Sequence, residues 1–251
     1  VALVGSDDKP HGPFDRAVLA VGVGGSAPMP GLDRQPGYID DPFPLRGRLS
    51  GIAPKAAVTV LGTGLTAVDV VLSLLSGGHT GPISMVSRSG LLPSVRTSAP
   101  APVATFLSRE ALSQQLRADP VMSLGRLFDL LGAELGHQGM SLGSVCAEAD
   151  MDEDFAQRLA RQLDDAERGG ALWQPIMIAA MHMGVEDIWH AMPQRDRRVF
   201  LSQWHTRFIS LLSPMPRQTA RRFVKAATAG QLQVARTPQG AATRPAQTGG
   251  F

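Results

Sequence analysis

Residues 58–75 read VTVLGTGLTAVDVVLSLL. The short apolar run at 58–61 predicts a buried strand. Beyond it, Leu65, Val68, Val71, Leu72 and Leu75 recur at helical spacing and predict a helix over 65–76. Between strand and helix stands G-x-G-x-x-A, with Gly62, Gly64 and Ala67. Gly62 permits a sharp turn out of the strand. Gly64 lacks a Cβ, so a pyrophosphate can approach the backbone, and the small Ala67 lets helix and strand pack closely. The helix N-terminus then presents unpaired N–H groups and a positive dipole end to the phosphates, which brings Thr63, Leu65 and Thr66 into the candidate cradle. Gly77 and Gly78 stop the helix, and ISMVS at 83–87 predicts the next strand. Strand, glycine turn, helix and strand in this order predict a Rossmann-type dinucleotide-binding unit with a parallel crossover.

The end of the second strand bears on which nucleotide fits. A carboxylate about 20 residues beyond the glycines accepts hydrogen bonds from the ribose hydroxyls in NAD sites. This chain instead reads MVSRSG, with Ser87 and Arg88. Arg88 can pair with a 2′-phosphate, and no carboxylate stands there to repel it. NADP(H) is therefore the expected nucleotide, with NAD(H) the second choice.

Outward from this unit, glycine and proline crowd the first hundred residues. Residues 1–50 read as two strands, 1–4 and 16–21, with a long Pro/Gly-rich connection. After residue 92 the texture turns helical. Helix is expected over 103–135 with a break near Pro120, and over 153–168, 171–192 with a kink near Gly184, 195–212 and 217–229. A returning strand is expected at 232–234, and 237–251 lacks periodicity and reads as a disordered tail. The expected fold class is α/β, a Rossmann-type unit with a large helical segment. Its parts are 1–50, 51–98, 99–236 and the tail 237–251.

Composition narrows the function. The net charge of +2 is too even to indicate nucleic acid, although the sequence pI is about 9.1. Cys146 is the single cysteine, so neither an intrachain disulfide nor a cysteine-based metal site can form. The six histidines show no metal-ligand spacing. No apolar run reaches a membrane span's length, and a cytoplasmic location is expected. The acidic cluster Asp150, Asp152, Glu153 and Asp154 reads as a helix start. Arg217, Arg221, Arg222 and Lys225 read as a solvated basic face, with phosphate, nucleic-acid or partner binding as the alternative. No G-x-S-x-G elbow supports a hydrolase.

Three stretches together resemble a known family. DRAVLAVGVGGSAPMPG at 15–31 resembles the strand and turn near the end of the FAD domain in two-dinucleotide flavoproteins. VTVLGTGLTAVDVVLSLLSGGHTGPISMVSRSGLLP at 58–93 resembles the second glycine-rich unit of bacterial FAD/NAD(P)-binding proteins related to flavin-dependent N-hydroxylating monooxygenases. IWHAMPQRDRRVFLSQW at 188–204 is similar to a helical segment of the same family. The resemblance covers residues 15–235, closer in the first half. It implies NADPH on the glycine turn, FAD in the complete protein, and the turn at 20–25, with Gly22, approaching the flavin. It also implies an NADPH-dependent oxidoreductase acting on an unidentified small molecule. Two departures stand out. The family's N-terminal FAD-binding G-x-G-x-x-G unit is absent, and its His/Arg-rich stretch is replaced by ISLLSP at 209–214. A fragment is therefore expected, with a second chain supplying the missing FAD half. The alternative is a non-catalytic NADP(H)-binding or interaction module.

Overall fold

A computed structural model describes residues 3–4, 9–16, 31–32, 35–150 and 152–237. The chain divides into two compact units, Val1–Arg48 and Leu49–Phe251. It is an α/β protein; about 52% of the described residues are helical, and they include a small parallel sheet of three strands. The predicted strand at 16–21 beyond Arg16, the turn at 20–25 with Gly22, and the tail beyond Thr237 lie outside the described residues.

In the first unit, β1 (Leu3–Val4) pairs antiparallel with β2 (Pro10–His11), where a loop is expected. A short helix, α1 (Leu45–Leu49), runs to the unit boundary. Within it, Arg48 pairs with Asp40 at 3.1 Å.

The second unit opens with β3 (Val58–Leu61), α2 (Leu65–Ser76) and β4 (Ile83–Ser87). After the helical segment, β5 (Leu232–Arg236) returns to the sheet, two residues longer than expected. The order is β3-β4-β5, all parallel, with Val58 opposite Ile83 and Ile83 opposite Leu232. Alternation decides what each strand buries. Val60, Ile83, Met85 and Leu232 are buried, as are Val68, Val71 and Leu74 of α2 and Ala220, Phe223 and Ala226 of the last helix. The opposite face is open: Thr59, Leu61, Gln233 and Ala235 are exposed, and Ser84 and Val86 are half-buried. The expectation that 58–61 is buried throughout is thus corrected. Only Val60 is buried, because helices cover one face of the sheet. The apolar stripe of α2 is corrected as well. Ala67, Val68, Val70, Val71 and Leu74 face inward, while Leu65 is 44% exposed.

The helical segment comprises α3 (Arg109–Ala118), α4 (Leu124–His137), α5 (Leu142–Ala147), α6 (Phe155–Glu167) and α7 (Trp173–Ala191). It continues through α8 (Gln194–Val199), a π-helical turn at Phe200–Trp204, α9 (His205–Leu212) and α10 (Arg217–Thr228). The start of the first helix is corrected from 103 to Arg109. The cause is Glu134 of α4, whose carboxylate accepts from the N–H groups of Thr105 (2.8 Å), Phe106 (2.7 Å) and Leu107 (2.9 Å). Those donors are held in a loop, and Ser108 caps α3 through the Ala111 N–H. Asp154 caps α6 through the N–H groups of Ala156 and Gln157, both at 3.0 Å, as the acidic cluster suggests. α7 kinks at Gly184, where a Cβ would run into the Leu112 side chain. The π-helical turn has no signature in the sequence. It seats Trp204 edge-on against Phe128, ring centroids 4.8 Å apart.

Asp196 ties α8 to α4 by accepting the Leu124 N–H at 2.9 Å. That bond, helped by the neighbouring Arg195 and opposed by burial, holds the carboxyl below the usual carboxylate range. A lowered folded-state pKa adds stability above the unfolded value, and that stability is lost as pH falls through the lowered value. Asp196→Asn is therefore expected to melt at a lower temperature than the unaltered chain at pH 7. The gap should close as pH falls below about 4. A gap constant from pH 7 to pH 3 would refute the assignment.

Segment 91–97 links sheet and helices. The Ser94 N–H donates to the Ser210 carbonyl (2.7 Å) and the Met215 N–H to the Ser94 carbonyl (2.7 Å). The Ser210 hydroxyl donates to the Leu92 carbonyl (2.7 Å). Buried Gln174 accepts the Thr97 N–H at 2.9 Å and donates to the Val95 carbonyl at 2.9 Å. Among the described residues no helix is long and apolar enough to cross a membrane.

Candidate functional site

The glycine turn lies at the C-terminal ends of β3 and β4. The Gly62 N–H continues the ladder by donating to the Val86 carbonyl at 2.8 Å, with Gly62 at φ +122°. A side chain is strained at that φ, which accounts for glycine here. A Cβ on Gly62 would lie 3.9 Å from the Ala67 Cβ, in ordinary van der Waals contact. Gly64 is the N-cap residue of α2, extended at φ −76° and ψ −176°, and makes no side-chain cap. The first helical hydrogen bond runs from the Val68 N–H to the Gly64 carbonyl at 3.0 Å. The N–H groups of Leu65, Thr66 and Ala67 therefore have no helical acceptor. A Cβ placed on Gly64 would meet nothing within 4 Å, so the space before these donors is open.

Thr63 and Ser87 are placed differently from Gly64. Thr63 is 6% exposed, and its hydroxyl donates to Ser87 Oγ at 3.0 Å. The same Oγ accepts the Gly90 N–H at 3.0 Å. The pair clasps the ends of β3 and β4 together, and the Thr63 side chain is buried in doing so. Arg88 is exposed next to this clasp, and its guanidinium has no partner among the described residues. Thr66 and Leu65 are exposed on the first turn of α2. The structure thus brings Gly62, Thr63, Gly64, Leu65, Thr66, Ala67, Ser87 and Arg88 to one end of the sheet. Gly22 lies outside the described residues.

The Thr63–Ser87 bond spans 24 residues, and local periodicity carries no trace of it. Two surface cavities, of about 450 and 330 Å³, are lined entirely by residues outside the turn. The larger takes in Arg217 and Arg221, which the sequence suggests are a solvated face. No family model matches the chain, and no curated protein matches it.

Proposed function

We propose that this chain binds NADP(H) at the turn 62–67 and acts as the nucleotide-binding part of an NADPH-dependent flavoprotein oxidoreductase. The observation that carries the nucleotide reading is the uncapped N-terminus of α2, whose N–H groups face open space at Gly64. The pyrophosphate would sit on the N–H groups of Leu65, Thr66 and Ala67. Leu65, with its apolar side chain exposed, would lie under a nucleoside. Arg88, unpaired at the end of β4, would take the 2′-phosphate.

The oxidoreductase class rests on the resemblance of 15–31, 58–93 and 188–204 to the flavin-dependent family. Bound NADPH supplies a hydride, and the protein's part is binding and orientation. The described residues contain no second glycine-rich turn for FAD. A second reading, a non-catalytic NADP(H)-binding or interaction module, is favoured by the open sheet face at Thr59, Leu61, Gln233 and Ala235. The cell compartment that suits NADPH chemistry of this kind is the cytoplasm.

Calorimetric titration of Arg88→Ala tests the nucleotide choice. Loss of a charge-assisted pair with phosphate should weaken NADPH binding by about tenfold to hundredfold and leave NADH binding unchanged. Equal loss for both nucleotides would remove Arg88 from the 2′-phosphate site.

A further inference from the structure

Nine residues beyond the end of β4, Arg96 meets the start of α10. The Arg96 N–H donates to the Met215 carbonyl at 2.9 Å, which fixes Arg96 and Thr97 beside Pro216 and Arg217. A cavity of about 450 Å³ opens there, lined by Arg96, Thr97, Pro216, Arg217, Gln218 and Arg221. Arg221 is paired with Glu167 at 2.7 Å. The guanidinium groups of Arg96 and Arg217 have no partner among the described residues, and no carboxylate lines the cavity. Two uncompensated guanidinium groups on one cavity repel each other, and a bound oxyanion removes that repulsion while accepting their forked N–H donors.

Arg96 and Thr97 also line a second cavity, of about 330 Å³. The rest of its lining is Ala99, Ala101, Gln174, Pro175, Ile178 and Ala179. Gln174 is its one further polar side chain, and that amide is already engaged with Thr97, Val95 and Ser94. The two cavities share Arg96 and Thr97 in their linings; the first adds Arg217 and Arg221, and the second adds mainly apolar side chains. Both volumes fall within the range of small-molecule sites.

We propose that this trough binds an organic anion carrying an apolar tail. The oxyanion head pairs with Arg96 and Arg217, and the tail lies along Ala99, Pro175, Ile178 and Ala179. Carboxylates and phosphate monoesters share the required head. No residue of 62–67 and no part of Arg88 lines either cavity, so the site does not depend on the nucleotide reading.

The test is calorimetric titration of the full chain with octanoate, octyl phosphate and inorganic phosphate, each amphiphile kept below its critical micelle concentration. One amphiphile or both should bind at a single site, and the stronger of them identifies the head. Inorganic phosphate should bind at least about tenfold more weakly, since it has no apolar area to bury. The double variant Arg96→Ala/Arg217→Ala should lose at least about tenfold in amphiphile affinity. Ala101→Glu, on an exposed residue at the apolar end, should also weaken binding while keeping the melting temperature. Saturating NADPH should leave amphiphile binding unchanged. Absence of binding by both amphiphiles, or phosphate binding as tightly as they do, would overturn the proposal. Displacement by NADPH would assign the arginines to the nucleotide and overturn it equally.

Discussion

Gly64→Val is expected to abolish measurable NADPH binding while lowering the melting temperature only by what a poorer N-cap costs, about 1 kcal/mol. At φ −76° and ψ −176° the backbone of Gly64 is open to any L-residue. An added Cβ meets nothing within 4 Å, so the branch point of the side chain displaces no neighbour. The isopropyl group instead fills the space in front of the Leu65, Thr66 and Ala67 N–H groups. A pyrophosphate held there loses those donors, and affinity should fall by more than about hundredfold, or roughly 2.7 kcal/mol. The neighbouring glycine gives the opposite result. Gly62 sits at φ +122°, so Gly62→Ala should cost about 1–3 kcal/mol of stability through backbone strain. Thermal melts and NADPH titrations of the two variants separate the roles. Unimpaired NADPH binding by Gly64→Val would remove the phosphate from the turn.

Glu134→Ala should be strongly destabilising, although the residue is a charged one. The carboxylate is 2% exposed and is the acceptor for three backbone donors, Thr105, Phe106 and Leu107. Its removal leaves those N–H groups without a partner, at a cost of about 1–3 kcal/mol for a buried one. Water can reach some of the exposed loop, so the total expected is about 3 kcal/mol or more. That is a large share of the stability of a typical domain. Glu134→Gln keeps one carbonyl oxygen as acceptor and should lose less. Urea denaturation of both variants measures the difference. A loss under about 1 kcal/mol for Glu134→Ala would show that 105–107 does not depend on this carboxylate.

These two residues mark how far the sequence could be read. The bounds expected for the first strand, helix and second strand, 58–61, 65–76 and 83–87, are those observed. Each is set by neighbours a few residues apart: apolar runs, Gly62 in the turn, and Gly77 and Gly78 at the helix end. The kink at Gly184 and a helix start within the acidic cluster 150–154 were legible for the same reason, though not that Asp154 is the capping residue. Glu134 was not, because its partners lie 27–29 residues away and nothing local distinguishes it from a solvated helix residue. The hydroxyl clasp between Thr63 and Ser87 was hidden in the same way. So was the trough, assembled from Arg96, Gln174 and Arg217 on three separate segments. The open face of the sheet is written in the alternation of VTVL, ISMVS and LQVAR, where Thr59, Ser84 and Gln233 share one side. Four apolar or nearly apolar residues in a row obscured it at 58–61.

Binding of NADP(H) at the glycine turn can be located by titrating the isotope-labelled chain with NADPH and following its amide resonances. Saturable shifts confined to residues 62–67 and 87–90 are the predicted result, with NADH producing the same pattern at higher concentration. No saturable shift with either nucleotide, or shifts centred on Arg96 and Arg217 instead, would contradict it.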